Sequence, residues 1–197
     1  MHCAVVDGAE PDPLRLAPSP DVTTTVEPFR ALQNRASRAL AAMLAREDGL
    51  ARSEVAAIEQ ALLRYGGFEH ATAAGEALIR YGSQELVEAL YTWVVDSPQR
   101  LFPLSSPFDW LRGALAVRLG MPEAAKLHFN DGLELCRREK LPFGEGLCLE
   151  GLADIAEQRG EHDLAMEHLD TAGDLYSRFG ATRYLNRVIA RKEILKA

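Results

Sequence analysis

Residues 111–135 read LRGALAVRLGMPEAAKLHFNDGLEL, and residues 151–175 read GLADIAEQRGEHDLAMEHLDTAGDL. At an offset of forty positions the two segments coincide in kind. Gly120 falls on Gly160, Ala125 on Ala165, Phe129 on Leu169, Gly132 on Ala172, Gly113 on Ala153 and His128 on His168. Such a repeat is the first thing to seek in a chain, because it sets the architecture. A small residue at 113 or 153 lets a second helix come close. A glycine ends the first helix in a conformation that a side chain opposes. Ala125 or Ala165 then sits at the helix crossing, and Phe129 or Leu169, one turn on, fills the space beside it. Gly132 and Ala172 leave room for the next helix.

Working outward, the second half predicts helices at about 107–119, 122–139, 144–159, 161–178 and 182–196. The breaks carry Gly120, Pro142 with Gly144, Gly160 and Gly180. Upstream, helical pattern begins near Thr25, with Pro28 suited to a first turn. Phe29, Leu32, Ala36, Leu40 and Leu44 form one face of a helix ending near Gly49. Ser53 reads as the cap of a second helix carrying Val55, Ile58, Leu62 and Leu63, stopped by Gly66 and Gly67. A third spans about 69–80, and Ser83 caps a fourth with Leu86, Leu90, Trp93 and Val94. Pro98 to Leu104, with Pro103, reads as the junction between two halves. Residues 1–24, with Pro11, Pro13, Pro18 and Pro20, read as an irregular leader packed through Leu14 and Leu16. No period-two alternation signals a strand. The organisation expected is therefore a leader (1–24), an N-terminal helical region (25–100) and helical repeats (107–197), all α.

The pattern of small residue, Gly turn, Ala-x-x-x-Phe and small residue at Gly113, Gly120, Ala125, Phe129 and Gly132 resembles the tetratricopeptide repeat family. Leu149, Leu152, Ala153, Gly160, Ala165, Leu169 and Ala172 repeat it. The spacing is forty residues instead of ~34, and the family's aromatic in the first helix and its terminal proline are missing. Longer repeats of this kind are similar to the C-terminal regions of bacterial signalling ATPases, adenylate cyclases and LuxR-type regulators. The ending YLNRVIARKEILKA, 184–197, is similar to the close of such regions. The resemblance implies antiparallel hairpins stacked as a short α-solenoid, whose first helices line a concave groove. Carried over, the groove would present Trp110, Ala114, Val117 and Arg118, then Leu147, Glu150, Asp154, Glu157 and Gln158.

Glu150, Asp154 and Glu157 are four and three residues apart, so helical geometry puts them on one face. Three carboxylates there would favour a basic segment of a partner. Arg183, Arg187 and Arg191, at i, i+4 and i+8, form a second candidate docking face; the bland alternative is a helix end whose cations suit the macrodipole.

Bulk properties limit the function. The net charge of −7 opposes generic nucleic-acid binding and docking on an anionic membrane. A hydrophobic fraction of 47% is enough for a core without staples. Cys3, Cys136 and Cys148 are too scattered for a disulfide framework or a zinc site, which fits a cytoplasmic setting. His162 and His168 are six apart and face opposite sides of a helix, so no metal is expected. No phosphate loop, dinucleotide fingerprint or nucleophile elbow occurs, so neither a cofactor nor catalysis is expected. The leading expectation is a non-catalytic adaptor or regulatory module for a protein or peptide partner, in bacterial signalling or transcriptional regulation. A sensor of a small molecule or short peptide is the second reading, and an all-α enzyme without a readable motif the third. Self-association, and membership of a larger signalling chain, stay open.

Overall fold

The structure is a computed structural model that describes residues 28–99 and 107–196. The leader at 1–24, the start near Thr25 and most of the proline-rich stretch lie outside these residues. Everything described is helix, short 3-10 turn or connection: α1 (Pro28–Leu44), α2 (Asp48–Tyr65), α3 (Gly75–Tyr81), α4 (Gln84–Asp96), α5 (Phe108–Arg118), α6 (Pro122–Glu139), α7 (Pro142–Gln158), α8 (His162–Phe179) and α9 (Thr182–Lys196). No helix among them is long and apolar enough to cross a membrane. They fall into two compact units, 28–93 and 94–196.

In the first unit α1 packs on α2 and on the segment around α3. Leu32, Ala36, Val55, Ile58, Leu62, Leu78, Leu86 and Leu90 form its core. Buried Glu54 is neutralised by Arg35 at 3.0 Å and Arg38 at 2.7 Å. The first helix boundary differs from expectation. α1 stops at Leu44 because Arg46 takes a left-handed conformation (φ 62°), and the Glu47 N–H closes onto the Ala42 carbonyl at 2.9 Å. That is a Schellman-type stop without glycine. Gly49 and Ser53 therefore lie inside α2, and Ser53 is not its cap. Gly66 and Gly67, both with positive φ, end α2 as expected. The helix expected over 69–80 is α only from Gly75; two 3-10 turns, Phe68–His70 and Thr72–Ala74, precede it. Ser83 does cap α4, accepting the Leu86 N–H at 3.1 Å.

In the second unit each helix packs on the next, from α5 to α9, and α5 also meets α7. Four successive turns close alike, an N–H reaching the carbonyl five residues back: Met121 to Ala116, Leu141 to Cys136, Glu161 to Ala156 and Ala181 to Tyr176, at 2.8–2.9 Å. Each needs one left-handed residue, supplied by Gly120, Lys140, Gly160 and Gly180. Pro142 starts α7 at its first position, two residues before the expected start, and Gly144 lies within the first turn.

Interlocking side chains set the helix spacing. A Cβ on Gly113 of α5 would stand 2.5 Å from the Phe129 ring, and one on Gly151 of α7 would stand 2.3 Å from it. Phe129, on α6, thus fills a space that two glycines vacate. Gly146 of α7 does the same for the Tyr176 ring of α8, at 2.6 Å. Arg112 is buried; its guanidinium donates to the Val94 and Ser97 carbonyls at 2.8 and 2.9 Å and to Asp109 at 2.6 Å. It thereby satisfies carbonyls at the end of α4 that have no helical partner.

Candidate functional site: the charged array between α7 and α9

α7 is buried over most of its length, with eleven of its seventeen residues in the core. Its less buried edge carries Asp154, Glu157 and Gln158. Glu150 comes from the same stripe but is only 5% exposed. A bare carboxylate so placed would be costly. Here it is fully engaged. Arg187 of α9 forms a two-pronged pair with it, Nε to Oε2 at 2.9 Å and Nη2 to Oε1 at 2.7 Å. Tyr176 of α8 donates its hydroxyl to Oε1 at 2.7 Å. The Arg187 guanidinium also lies over the Tyr184 ring, 4.6 Å from its centre.

Arg191, one turn further along α9, bridges the other two carboxylates, with Nη2 2.6 Å from Asp154 and 2.5 Å from Glu157. Its Nη1 is 3.8 Å from Glu150. The Asp154 side chain is 48% exposed, and its carboxyl is crowded by the other charged groups of the array. Burial, with Glu150 and Glu157 beside it, pushes its pKa up to about 6 against the pull of Arg191.

The two faces expected to be open to partners are therefore each other's partners. Glu150, Asp154 and Glu157 do not stand free for a basic segment, nor Arg187 and Arg191 for an acidic one. The sequence shows each stripe on its own helix; the packing of α7 and α9 on α8 brings them together. Arg183 is not in the array, and its Nη1 is buried without a hydrogen bond. Leu147, expected in the groove, is 3% exposed and belongs to the core. Trp110 is half-buried, and Arg118 and Gln158 are exposed.

One cluster went unseen in the sequence. Phe143, Tyr176, Phe179 and Tyr184 meet where α7, α8 and α9 join, with Phe143 edge-on to Tyr184 at 4.9 Å and Tyr176 5.4 Å from Tyr184. These residues come from three helix ends, so no single periodicity links them. His128 and His168 sit at equivalent half-buried places on α6 and α8, and burial lowers both pKa values. Among the described residues no group of three or more His, Cys, Asp or Glu is placed to hold a metal. Cys136 and Cys148 are buried free thiols, and the hydrogen bond between them, with burial, pushes the Cys148 thiol far up.

Comparison with protein-family models and with curated protein sequences finds no match to this chain.

Proposed function

We propose that the chain is a non-catalytic protein–protein interaction module, adaptor or regulatory, acting in the cytoplasm in bacterial signalling or transcriptional control. In this reading α5 to α9 form a short tetratricopeptide-like solenoid, and a partner segment lies along the stripes of α5 and α7. One observation carries it: the opposite faces of these helices are consumed by the core, while Trp110, Arg118 and Gln158 lie outside it in the stripe that the resemblance assigns to a groove. Preformed helices of this kind bind an extended or helical segment with little backbone change. Glu150, Asp154 and Glu157 contribute to recognition only together with their α9 partners.

The test is affinity capture from lysate of the source cells with native protein and with Arg118→Glu/Gln158→Lys, both shown to be folded by circular dichroism. These exposed positions replace the three carboxylates as a probe, because reversing Glu150 would break the array. A partner recovered by the native protein and lost by the variant supports the reading. Equal recovery by both removes the groove, and no specific partner at any salt concentration removes the interaction module.

A further inference from the structure

The hairpin of α6 and α7 brings two thiols into contact that no sequence motif links. Cys136 and Cys148 are both fully buried, and a side-chain hydrogen bond joins them. A Cβ on Gly132, one turn before Cys136 on α6, would stand 2.9 Å from the Cys148 Sγ. The missing side chain makes room for that sulfur on the stripe of α6 that carries Cys136. We propose that this pair is a redox-sensitive lock: a peroxide joins the two sulfurs in a reversible disulfide that ties α6 to α7, and the turn at Lys140 is its gate.

Proximity carries the first half. A disulfide needs its sulfurs about 2 Å apart and its Cβ atoms about 3.8 Å apart. Thiols already in hydrogen-bond contact on neighbouring helices approach that geometry by side-chain rotation, without one helix sliding along the other. The chemistry balances with hydrogen peroxide as oxidant. The Cys136 sulfur attacks one peroxide oxygen and the O–O bond breaks. The hydroxide that leaves takes up the thiol proton as water, and a sulfenic acid stays on Cys136. The Cys148 sulfur then attacks that sulfur. The S–S bond forms, the S–O bond breaks, and the second hydroxide leaves as water with the Cys148 proton. Two thiols are oxidised by two electrons, and the peroxide is reduced to two waters. A dithiol reverses the bond by exchange. Such transient disulfides are the kind a reducing compartment permits.

The gate follows from burial and from the turn. While the hairpin is closed, no oxidant reaches either sulfur, and buried thiols are inert. Cys136 is itself part of the stop of α6, its carbonyl accepting the Leu141 N–H at 2.8 Å. Inside that closure stands Lys140, left-handed at φ 57°, where the other three turns of the unit have Gly120, Gly160 and Gly180. A side chain opposes this conformation. This stop therefore opens at lower cost than the other three, and its opening frees Cys136 first.

The test treats the folded full chain with hydrogen peroxide, caps the remaining thiols in denaturant and maps the peptides by mass. The expected product is a Cys136–Cys148 bond with Cys3 outside it. The oxidised chain is expected to melt at least about 5 °C higher than the reduced one, and dithiothreitol to restore both thiols and the original midpoint. Lys140→Gly, which relaxes the turn, is expected to slow bond formation about fivefold. Sulfinic acid at either buried cysteine, a bond to Cys3, or Cys136 and Cys148 left as thiols while Cys3 reacts overturns the proposal. An oxidised chain that melts no higher also overturns it, because the bond then strains the hairpin instead of locking it. A rate that Lys140→Gly leaves unchanged does the same, because the turn is then not the gate.

Discussion

The Phe129 ring lies where Gly113 and Gly151 each give up a side chain. It is 1% exposed and touches the backbones of α5 and α7 from α6. Truncation leaves a cavity that two helices without side chains at the contact cannot fill by rotamer change. Phe129→Ala is expected to cost about 3–5 kcal/mol, read from the midpoint of a urea unfolding curve at unchanged slope. A midpoint near that of the native protein would remove Phe129 from the core. Gly113 was legible as a point of close helix approach because it repeats at Ala153, but not as the partner of Phe129. Gly151 was not, because its contact comes from the preceding hairpin and lies outside the forty-residue register.

Elements depend on how their ends are closed. Three of the four turns between α5 and α9 use glycine, and the fourth uses Lys140 at φ 57°. A side chain in that conformation is opposed by its own Cβ. Lys140→Gly should therefore stabilise the second unit by up to about 1 kcal/mol, visible as a higher melting temperature; a lower one would show that the lysine side chain makes a compensating contact. Arg112 closes the end of α4. Replacing it with methionine keeps the apolar stem but strips the buried Asp109 carboxylate of its guanidinium, at an expected cost of about 3–5 kcal/mol. Hydrogen exchange should show amides of the last turn of α4 losing protection before those of α6; a uniform loss would show that Arg112 serves the core as a whole.

At the scale of the whole molecule, pH acts through groups of opposite sign. Asp154 holds its proton more tightly when folded, up to about 6 against a usual 3.8. Its contribution to stability is therefore greatest below pH 4 and is lost as pH rises through about 6. His128 and His168 hold theirs less tightly when folded than the usual 6.5. Their contribution is complete above that value and is lost as pH falls below it. The melting temperature of Asp154→Asn minus that of the native chain should accordingly rise between pH 4 and pH 7. A carbon NMR titration of the Asp154 carboxyl with its midpoint near 4 would overturn this.

Helix identity from 107 to 196 was decided by the sequence alone, because glycine and proline act on the backbone where they stand and the apolar spacing repeats along it. The same holds for the cap at Ser83. The stop at Arg46 was hidden, and at the end of α6, expected at 139, the left-handed Lys140 was, since neither residue type signals such a backbone; only the closed hydrogen bonds around them do. The site divides in the same way. Periodicity placed Glu150, Asp154 and Glu157 on one face of α7, and Arg187 and Arg191 on one face of α9. It could not say that the faces meet. A helical period determines which side of its own axis a residue occupies. What lies opposite depends on how both helices pack on α8, through Gly146 against Tyr176 and Val188 beside Gly173, and that is settled only in three dimensions.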